Sequence, residues 1–490
     1  MAILMLVFVF ISLGREERTF TNEEAMSDFL TVVTSLNIDS ESGRALPTKG
    51  TYTSATTTPT TKTSMTTTAT TTTSPTTTST TPTKTTTTKA PRKLVLDGVL
   101  LCTVRASVFV RTLSYPTDGV CDVIMFNSLF VPGGNTLIPP YSKFFMQFLD
   151  AASNNSKTEY GVGIDHYFCR NETFMSSLVA EQTTKTSLDE MWSHRVHHYG
   201  QVNSPPILTR FDTFEYVKQS AKGLQMLSQL MKDKVNSEHQ PSYTMLHYPL
   251  MYETDAVDVA RALAANSVDL FVAFGYTAYS DYGRKDCRMV PPILHSTQLL
   301  EPGLLNGAYP VRLVRVLSAL ATLKKVLKNT PALAVSLGMG GRWYEPAYLN
   351  RNVSLPGNVS LGHPCKTTSR GDAPPRHQIS SIAEACEDPN YNETFSYDST
   401  FNSLFAYAKS DFLLFTYDSA DSFLNKICET KKNVTDLKYN IVADDIQFDD
   451  IDNLCGYGSY YRLRTLKSLC EYLAENYTSP DRESACKSVI

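Results

Sequence analysis

The sequence predicts an α/β protein, a (β/α)₈ TIM barrel with a small insertion, preceded by a disordered Thr-rich stalk. From Lys93 onward, short β-branched or aromatic runs alternate with amphipathic stretches, the pattern of βα units around a parallel sheet. About 400 residues follow the Thr-rich tract, enough for one large domain. No GxGxxG follows a strand, which disfavours an open doubly wound sheet.

The predicted barrel strands are eight apolar runs. They cover residues 99–104, 121–131, 159–164, 194–199, 242–250, 268–279, 332–340 and 438–448, and the fourth is the least clearly marked. Helical periodicity is clearest at residues 211–232, 256–266, 311–328, 420–430 and 460–475. Eight such repeats in just under 400 residues suit a barrel that carries an insertion.

Residues 1–14 are predicted to be a signal peptide or a partial membrane anchor. Ala2 to Leu13 is an uninterrupted apolar run, too short for a bilayer core that needs about 20 residues. Ser12 and Gly14 place small residues before a possible cleavage site. No Lys or Arg precedes the run, so an anchor that tethers the protein to the cell surface is the alternative.

A spacer is predicted to follow, with residues 15–50 as a weakly structured lead-in and residues 51–91 as a mucin-like stalk. Roughly two-thirds of the positions from Thr51 to Thr88 are Thr, and such a composition cannot bury enough apolar surface to fold. At about 3 Å per residue, the tract reaches on the order of 100 Å. The barrel is predicted to occupy residues 92–478, and residues 479–490 a C-terminal tail.

Composition indicates the compartment and excludes one class of partner. The 45 basic and 49 acidic residues include no dense basic run, which argues against nucleic-acid binding. The 10 Cys show no CxxC or Cys/His metal spacing and are predicted to form disulfides. The predicted disulfides, together with the N-glycosylation sequons, predict a secreted or extracellular protein. Seven sequons begin at Asn154, Asn171, Asn352, Asn358, Asn392, Asn433 and Asn476.

The C-terminal segment KYNIVADDIQFDDIDNLCGYGSYYRLRTLKSLCEYL resembles the eighth strand and last helix of glycoside hydrolase family 18, in its animal chitinase branch. Asp449-Asp450-Ile451 stands at the family's acidic step, Cys455-Gly456 at its Cys-Gly, and Tyr461-Arg462-Leu463 at the entry to the final helix. LLCTVRAS and CDVIMFNSLFV resemble the first two strands, whose two cysteines are bridged in the family. The resemblance therefore implies a disulfide between Cys102 and Cys121.

Internal segments resemble the same family in collinear order. VDLFVAFGYTAYSDYG resembles the sixth strand and PALAVSLGMGGRWYEPAY the seventh. Extra sequence between Tyr344 and about Phe412 includes IAEAC, which resembles part of the family's small insertion domain. The resemblance thus implies an insertion after the seventh strand and a disulfide between Cys386 and Cys455. The other six Cys have no assigned partners.

The catalytic motif of the family is missing. Its members cleave with an Asp-x-x-Asp-x-Asp-x-Glu strand, whose Glu protonates the leaving oxygen while the neighbouring Asp holds the substrate acetamido group. Alternate residues of a strand share one face. The corresponding region here, TSLDEMWSHRVHHYGQVN, has Asp189 and Glu190 adjacent. No catalytic residue is therefore assigned, and two Trp give little aromatic surface for a long sugar groove.

Other polar residues are predicted to gather at the C-terminal ends of the barrel strands, where such barrels place their sites. A cluster of His and carboxylates can hold a metal, but HRVHHY lacks a specific ligand spacing. No metal and no cofactor is therefore predicted. The ligand-binding candidates by position are His166, His197, His198, His247, Asp444, Asp445 and Asp449. Tyr276 is a further candidate, because the resemblance matches it to a sixth-strand Tyr that contacts the substrate in the family.

The preferred functional hypothesis is a non-catalytic, chitinase-like glycoprotein that binds glycans such as chito-oligosaccharides at the barrel rim. One alternative is a glycoside hydrolase for N-acetylated glycans with relocated acids, drawn from Asp165 or from Asp444, Asp445 and Asp449. Another is a structural, mucin-like cell-coat protein whose attached glycans carry the function. The sequence assigns no oligomeric state.

Overall fold

The computed structural model describes residues 96–105, 114–129, 137–203, 212–277, 287–295, 311–347, 359–366 and 378–489. Eight parallel strands close into a barrel in which neighbours in sequence are neighbours in space. The eighth strand lies between the seventh and the first and so completes the ring. The barrel strands are β1 (Leu100–Val104), β2 (Val123–Phe126), β3 (Glu159–Gly163), β4 (Val196–Gln201), β5 (Thr244–Tyr248), β6 (Leu270–Phe274), β7 (Ala332–Gly338) and β13 (Asn440–Asp444). The predicted (β/α)₈ fold is confirmed.

Helices surround the barrel, and several begin at a capping side chain. Ser142, Asn171, Asp212 and Ser419 each accept a hydrogen bond from a backbone amide of the first turn. The helices are α1 (Lys143–Asn154), α2 (His166–Cys169), α3 (Glu172–Ala180), α4 (Gln182–Ser193), α5 (Thr213–Leu230), α6 (Lys232–Glu238), α7 (Glu253–Ala265), α8 (Leu313–Val326), α9 (Ile382–Glu387), α10 (Ala420–Lys431), α11 (Tyr461–Glu475) and α12 (Arg482–Lys487).

Strand alternation divides the apolar residues between two cores. On β6, Leu270 and Val272 point into the barrel, where they join the small interior core. Phe271 and Ala273 belong to the larger core between strands and helices. Because both faces of each strand are buried, the strands read as continuous apolar runs, which is why the sequence marks them so clearly.

A second sheet forms the insertion after β7. Its strands are β8 (Gly341–Tyr344), β9 (Ile379–Ser380), β10 (Ser396–Asp398), β11 (Ser403–Ala408) and β12 (Leu413–Tyr417). They pair antiparallel in the order β10-β11-β12-β8-β9. The insertion lies between β7 and α10, where it was predicted.

A buried ion pair joins this insertion to the barrel layer. Lys426 of α10 pairs with Asp418, and both side chains are fully buried. The Lys426 ammonium also donates to Ser403 Oγ of β11 at 2.6 Å and to the Ile293 carbonyl oxygen at 2.8 Å. With these partners the buried charge is fully engaged, so the network fixes β11 against α10.

Four disulfides lie within the described ranges. Cys102–Cys121 and Cys386–Cys455 are the two pairs that the resemblance implied. The other bridges are Cys287–Cys365 and Cys428–Cys486, while Cys169 and Cys470 are buried free thiols.

The C-terminal segment differs from its prediction as a tail. Residues 482–487 form α12, which packs against α10, and Cys486 at its end is bonded to Cys428 of α10. The compact unit accordingly runs from Ala90 to Ile490, beyond the expected boundary at residue 478.

Several predictions fall on residues outside the described ranges. These are the signal peptide or anchor, the lead-in, the Thr-rich stalk and the sequons at Asn352 and Asn358. The sequon asparagines that are described, Asn154, Asn171, Asn392, Asn433 and Asn476, are all exposed. None of the helices in the described ranges is both long and apolar enough to cross a membrane.

Candidate functional site

The C-terminal ends of the barrel strands bring a polar group together around Asp444, the last residue of β13. Thr103 Oγ1, near the end of the neighbouring β1, donates to Asp444 Oδ1 at 3.0 Å. The same hydroxyl accepts from the Asp445 amide at 3.0 Å. Thr103 thus fixes both the side chain that ends the strand and the backbone turn that follows it.

Asp444 is a neutral acid at physiological pH. The residue is 3% exposed, and burial, followed by the negative charge of Asp445, raises the pKa of its carboxyl to about 8. The nearby hydroxyl groups of Ser336, Thr103 and Tyr276 lower this pKa, but by less than burial raises it. The carboxyl can therefore donate as well as accept a hydrogen bond.

Tyr276, just beyond the end of β6, reaches this group because Gly338 leaves space for its ring. A Cβ at Gly338 would lie 2.5 Å from Cδ2 of Tyr276. The Tyr276 ring centroid is 5.9 Å from that of Phe274, which in turn is 5.5 Å from the imidazole of His247. A row of rings therefore runs from β5 to the end of β7.

His247 forms the β5 end of this row and is completely buried. Burial lowers the pKa of its imidazole to about 3, so the ring is neutral. Neither ring nitrogen has a hydrogen-bond partner among the described residues. A buried imidazole with two free nitrogens is uncommon, because such groups are normally paired.

Asp445, next to Asp444, lies nearer to solvent. Its φ of +61° lies in the left-handed region, at the turn that follows β13. Its Oδ2 pairs with Arg105 at 3.1 Å, and the two side chains are 14% and 44% exposed. The face formed by the C-terminal ends of the barrel strands is called the mouth. The pair places one acidic and one basic group at the edge of this mouth.

The ends of β3 and β4 supply a second polar group. Asp165 caps α2 through the Tyr167 amide and also accepts from Asn203 Nδ2 at 2.7 Å. Asn203 Oδ1 accepts from the His166 amide at 2.9 Å. Burial lowers the pKa of the His166 imidazole, and the charge of Asp165 opposes this shift. Through these two hydrogen bonds, Asn203 fixes the position of the segment that contains Asp165 and His166.

The expectation that His197 and His198 lie at the rim is wrong. β4 begins at Val196, two residues after the predicted start, so these two residues fall in its N-terminal half. His198 points into the barrel, where its Nε2 contacts Glu159 Oε2 at 2.8 Å and its Nδ1 accepts from the Tyr243 amide. Glu159 and Tyr243 mark the end of the barrel opposite the mouth.

His197 faces outward instead. Its ring lies 4.6 Å from that of Trp192, at the end of α4. Burial, together with His198 and Arg195, lowers the pKa of His197 to about 3. This imidazole therefore acts as a neutral packing residue.

Asp449 lies apart from the mouth group. Its Oδ1 accepts from Arg462 Nε at 2.8 Å and from the Asp450 amide at 2.9 Å. The residue is 1% exposed and faces the insertion and the start of α11. The structure therefore brings together His247, Tyr276, Asp444 and Asp445, places His166 at the neighbouring strand end, and leaves Asp449 elsewhere.

No carboxylate lies on β4 or in the loop after it. The sequence contains no Asp or Glu between Glu190 and Asp212. Asp189 and Glu190 lie on α4, where Asp189 pairs with Lys234 at 2.8 Å. The inward residues of β4 are His198 and Gly200.

Sequence reasoning missed Thr103, Ser336 and Asn203. Thr103 and Ser336 are polar residues inside otherwise apolar strands, and their alternation with outward residues was the signal that could have identified them. Asn203 carried no such signal, because it follows β4 in a segment without periodicity. Within the described ranges, no three His, Cys, Asp or Glu side chains lie close enough together to hold a metal ion.

Solved chitinases share this fold. The chain is 14% identical to the Ostrinia furnacalis Group IV chitinase, solved in complex with allosamidin, with a TM-score of 0.53. That match covers 77% of this chain and 100% of the chitinase. An immunomodulatory active chitinase from Trichuris suis is 10% identical, with a TM-score of 0.51, over 75% of this chain and 98% of that one. No family model and no curated protein matches the sequence.

Proposed function

We propose that this protein is a non-catalytic, chitinase-like extracellular glycoprotein that binds glycans at the mouth of its barrel. The observation that carries the proposal is a chitinase-type barrel whose fourth strand has no carboxylate. In glycoside hydrolase family 18, which the sequence resembles, that strand supplies the proton donor and the residue that positions the acetamido group. Here the inward positions hold His198 and Gly200, and neither provides that chemistry.

The mouth supports binding of a polyhydroxylated ligand. Sugar hydroxyls both donate and accept hydrogen bonds, and the mouth offers donors and acceptors on one rim. Arg105 donates, Asp445 accepts, and Tyr276 adds an aromatic face that is 8% exposed. His247 and Asp444 lie below and shape the floor. His166 extends the polar rim toward β3 and β4.

The extracellular assignment is supported by covalent features of the chain. Disulfides persist in oxidising compartments and are rare in the cytosol. The exposed sequon asparagines are accessible to glycosylation. With the Thr-rich tract as a glycan-bearing spacer, the barrel would be displayed at a distance from whatever holds the N-terminus.

Binding and cleavage are tested together on the full chain purified from a secretory host. Titration with tetra-N-acetylchitotetraose is expected to show binding at the mouth that weakens about tenfold in Tyr276→Ala, which corresponds to the loss of an aromatic contact of about 1.4 kcal/mol. Val326→Ala, at an exposed residue that ends α8 on the side of the barrel opposite the mouth, is the control and should bind as the native chain does. Chromatography of the mixture should show no shortened oligosaccharide.

Release of sugar that disappears in Asp444→Asn would contradict the non-catalytic assignment. It would favour the second candidate, a glycoside hydrolase with relocated acids. One observation supports that candidate: the buried carboxyl of Asp444 keeps its proton at neutral pH, as a general acid must. Retention of binding without cleavage in both native and Asp444→Asn chains would exclude it. Absence of binding altogether would favour a structural, mucin-like role.

A further inference from the structure

A groove of about 560 Å³ lies outside the barrel mouth, between the insertion and the starts of α10 and α11. Tyr397 and Leu404 of the insertion line one wall, and Tyr457 and Tyr461 line the other. None of Thr103, Tyr276 and Asp444 lines it. Its volume falls within the range of small-molecule sites, roughly 300–1,000 Å³. We call it the insertion groove.

Exposed aromatic rings form the walls of the insertion groove. Tyr457 is 67% exposed and stacks on Tyr461, with ring centroids 6.0 Å apart and ring planes 22° from parallel. Tyr397 of β10 is 48% exposed, and its hydroxyl donates to Asn402 Oδ1 at 2.7 Å. The stacked Tyr457 and Tyr461 and the hydrogen-bonded Tyr397 therefore expose apolar ring faces to solvent. Each ring also carries a hydroxyl group.

The charged groups in the floor of the groove make contacts within the protein. Two more charged residues line its edge: Lys487, whose Nζ lies 3.6 Å from Glu483 Oε1, and Asp421, which is exposed. Arg462 donates to Asp449 Oδ1, to the Asp418 carbonyl oxygen and to the Met339 carbonyl oxygen. Asp450 accepts from the amides of Leu454 at 2.7 Å and Cys455 at 2.9 Å. Arg462 and Asp450 therefore provide no free charge for an ionic ligand, and the exposed carboxylate of Asp421 disfavours an anionic one.

One acceptor in the floor remains open. Asp449 is 1% exposed, and its Oδ2 has no hydrogen-bond partner among the residues that the structure describes. A buried carboxylate oxygen without a donor costs free energy. A hydroxyl group of a ligand seated in the groove would supply that donor.

The walls are fixed before any ligand arrives. Cys386 of α9 is bonded to Cys455 in the loop that carries Tyr457, and Ser381 Oγ donates to the Asp449 carbonyl oxygen at 3.4 Å. Binding to a rigid site avoids the entropy cost of ordering loops. The disulfide thus holds the two aromatic walls at a set separation.

We propose that the insertion groove is a second glycan site, which takes a short neutral oligosaccharide with the C–H faces of its rings against Tyr457 and Tyr397. Open aromatic faces, a free buried acceptor and internally paired charges fit such a ligand. A sulfated or phosphorylated ligand would find no unpaired cation at Arg462. The inference rests on the groove alone and does not require binding at the mouth.

The test is titration of the full glycoprotein with tetra-N-acetylchitotetraose and with cellotetraose, monitored by saturation-transfer NMR and calorimetry. A heparin-derived sulfated tetrasaccharide is titrated in parallel to test whether the groove binds an anionic ligand. At least one neutral tetrasaccharide is expected to bind, and Tyr457→Ala should weaken that binding about tenfold. Because Tyr457 is 67% exposed, its removal leaves the fold intact. Val326→Ala, at a residue 48% exposed at the end of α8, away from both the mouth and the groove, is the control and should change nothing.

Three results would overturn the proposal: no binding of either neutral tetrasaccharide, equal binding by Tyr457→Ala and the native chain, or binding of the sulfated tetrasaccharide alone. The mouth and the groove are distinguished by their variants. Binding lost in Tyr276→Ala but retained in Tyr457→Ala supports the mouth and refutes the groove. The reverse pattern supports the groove and refutes the mouth.

Discussion

Asp444 shows how a single residue at the mouth gives the protein a measurable pH dependence. In the unfolded chain its carboxyl ionises near pH 4, whereas in the folded chain it keeps its proton up to about pH 8. Between these values the folded state binds more protons than the unfolded state. The contribution of Asp444 to the free energy of unfolding therefore falls as the pH rises from about 4 to 8.

The variant Asp444→Asn is expected to lose this dependence, because an amide does not ionise. At pH 4 its free energy of unfolding should be within about 1 kcal/mol of the native value. At pH 9 it should exceed the native value by several kcal/mol, on the order of 1.4 kcal/mol for each unit of pKa shift removed. Urea unfolding monitored by circular dichroism at both pH values measures the difference. Asp452→Asn, at an exposed aspartate, is the control, and parallel pH profiles of Asp444→Asn and native chains would contradict the assignment.

The residue scale is also where the sequence predicted least. Asp444 was predicted at the rim because it lies near the end of a well-marked apolar strand, and Tyr276 was a candidate because the family resemblance matches it to a Tyr that contacts the substrate. His197 and His198 were misplaced because the fourth strand has weak periodicity, and its start was set two residues too early. A register irregularity between Tyr160 and Gly161 then puts His198 inside and His197 outside. Such an irregularity depends on the partner strand, so one strand's sequence does not reveal it.

At the scale of elements, disulfides attach peripheral segments to the rest of the domain. Both pairs that the resemblance implied join elements with recognisable sequence motifs. The bridge between Cys428 and Cys486 was not assigned, because α12 is a helix of six residues with no strong periodicity. Its position depends on the bridge and on packing against α10.

The double variant Cys428→Ala/Cys486→Ala is therefore expected to release α12 while the barrel persists. The bridge spans 58 residues, and removing the constraint on an unfolded loop of that length costs about 4 kcal/mol. Thermal unfolding should shift to lower temperature, and limited proteolysis should cut near residue 480 before any other described segment. Ser484→Ala, at an exposed position of the same helix, should behave as the native chain. Resistance of the double variant to that early cut would show that packing alone holds α12.

At the scale of the whole molecule, the fold was the most predictable feature. All eight predicted strands overlap a barrel strand. Burial on both faces gives long apolar runs, so each strand is located correctly even where its predicted first or last residue is wrong. The insertion was located by the extra sequence between β7 and α10. The mouth was only partly predictable, since it is assembled from residues on separate strands whose side-chain directions depend on register.

The last prediction concerns which part of the chain contributes to the stability of the barrel. All four disulfides within the described ranges, and the apolar cores that those ranges form, lie beyond residue 98. A Thr-rich tract cannot contribute a packed core of its own. A chain that starts at Ala90 should therefore unfold within about 2 °C of the full chain, since a loss of 1 kcal/mol shifts the midpoint of a domain of about 400 residues by about 1 °C. Scanning calorimetry of both chains measures it. A drop of more than about 5 °C would mean that residues before 90 pack against the barrel and stabilise it, and the spacer assignment would fail.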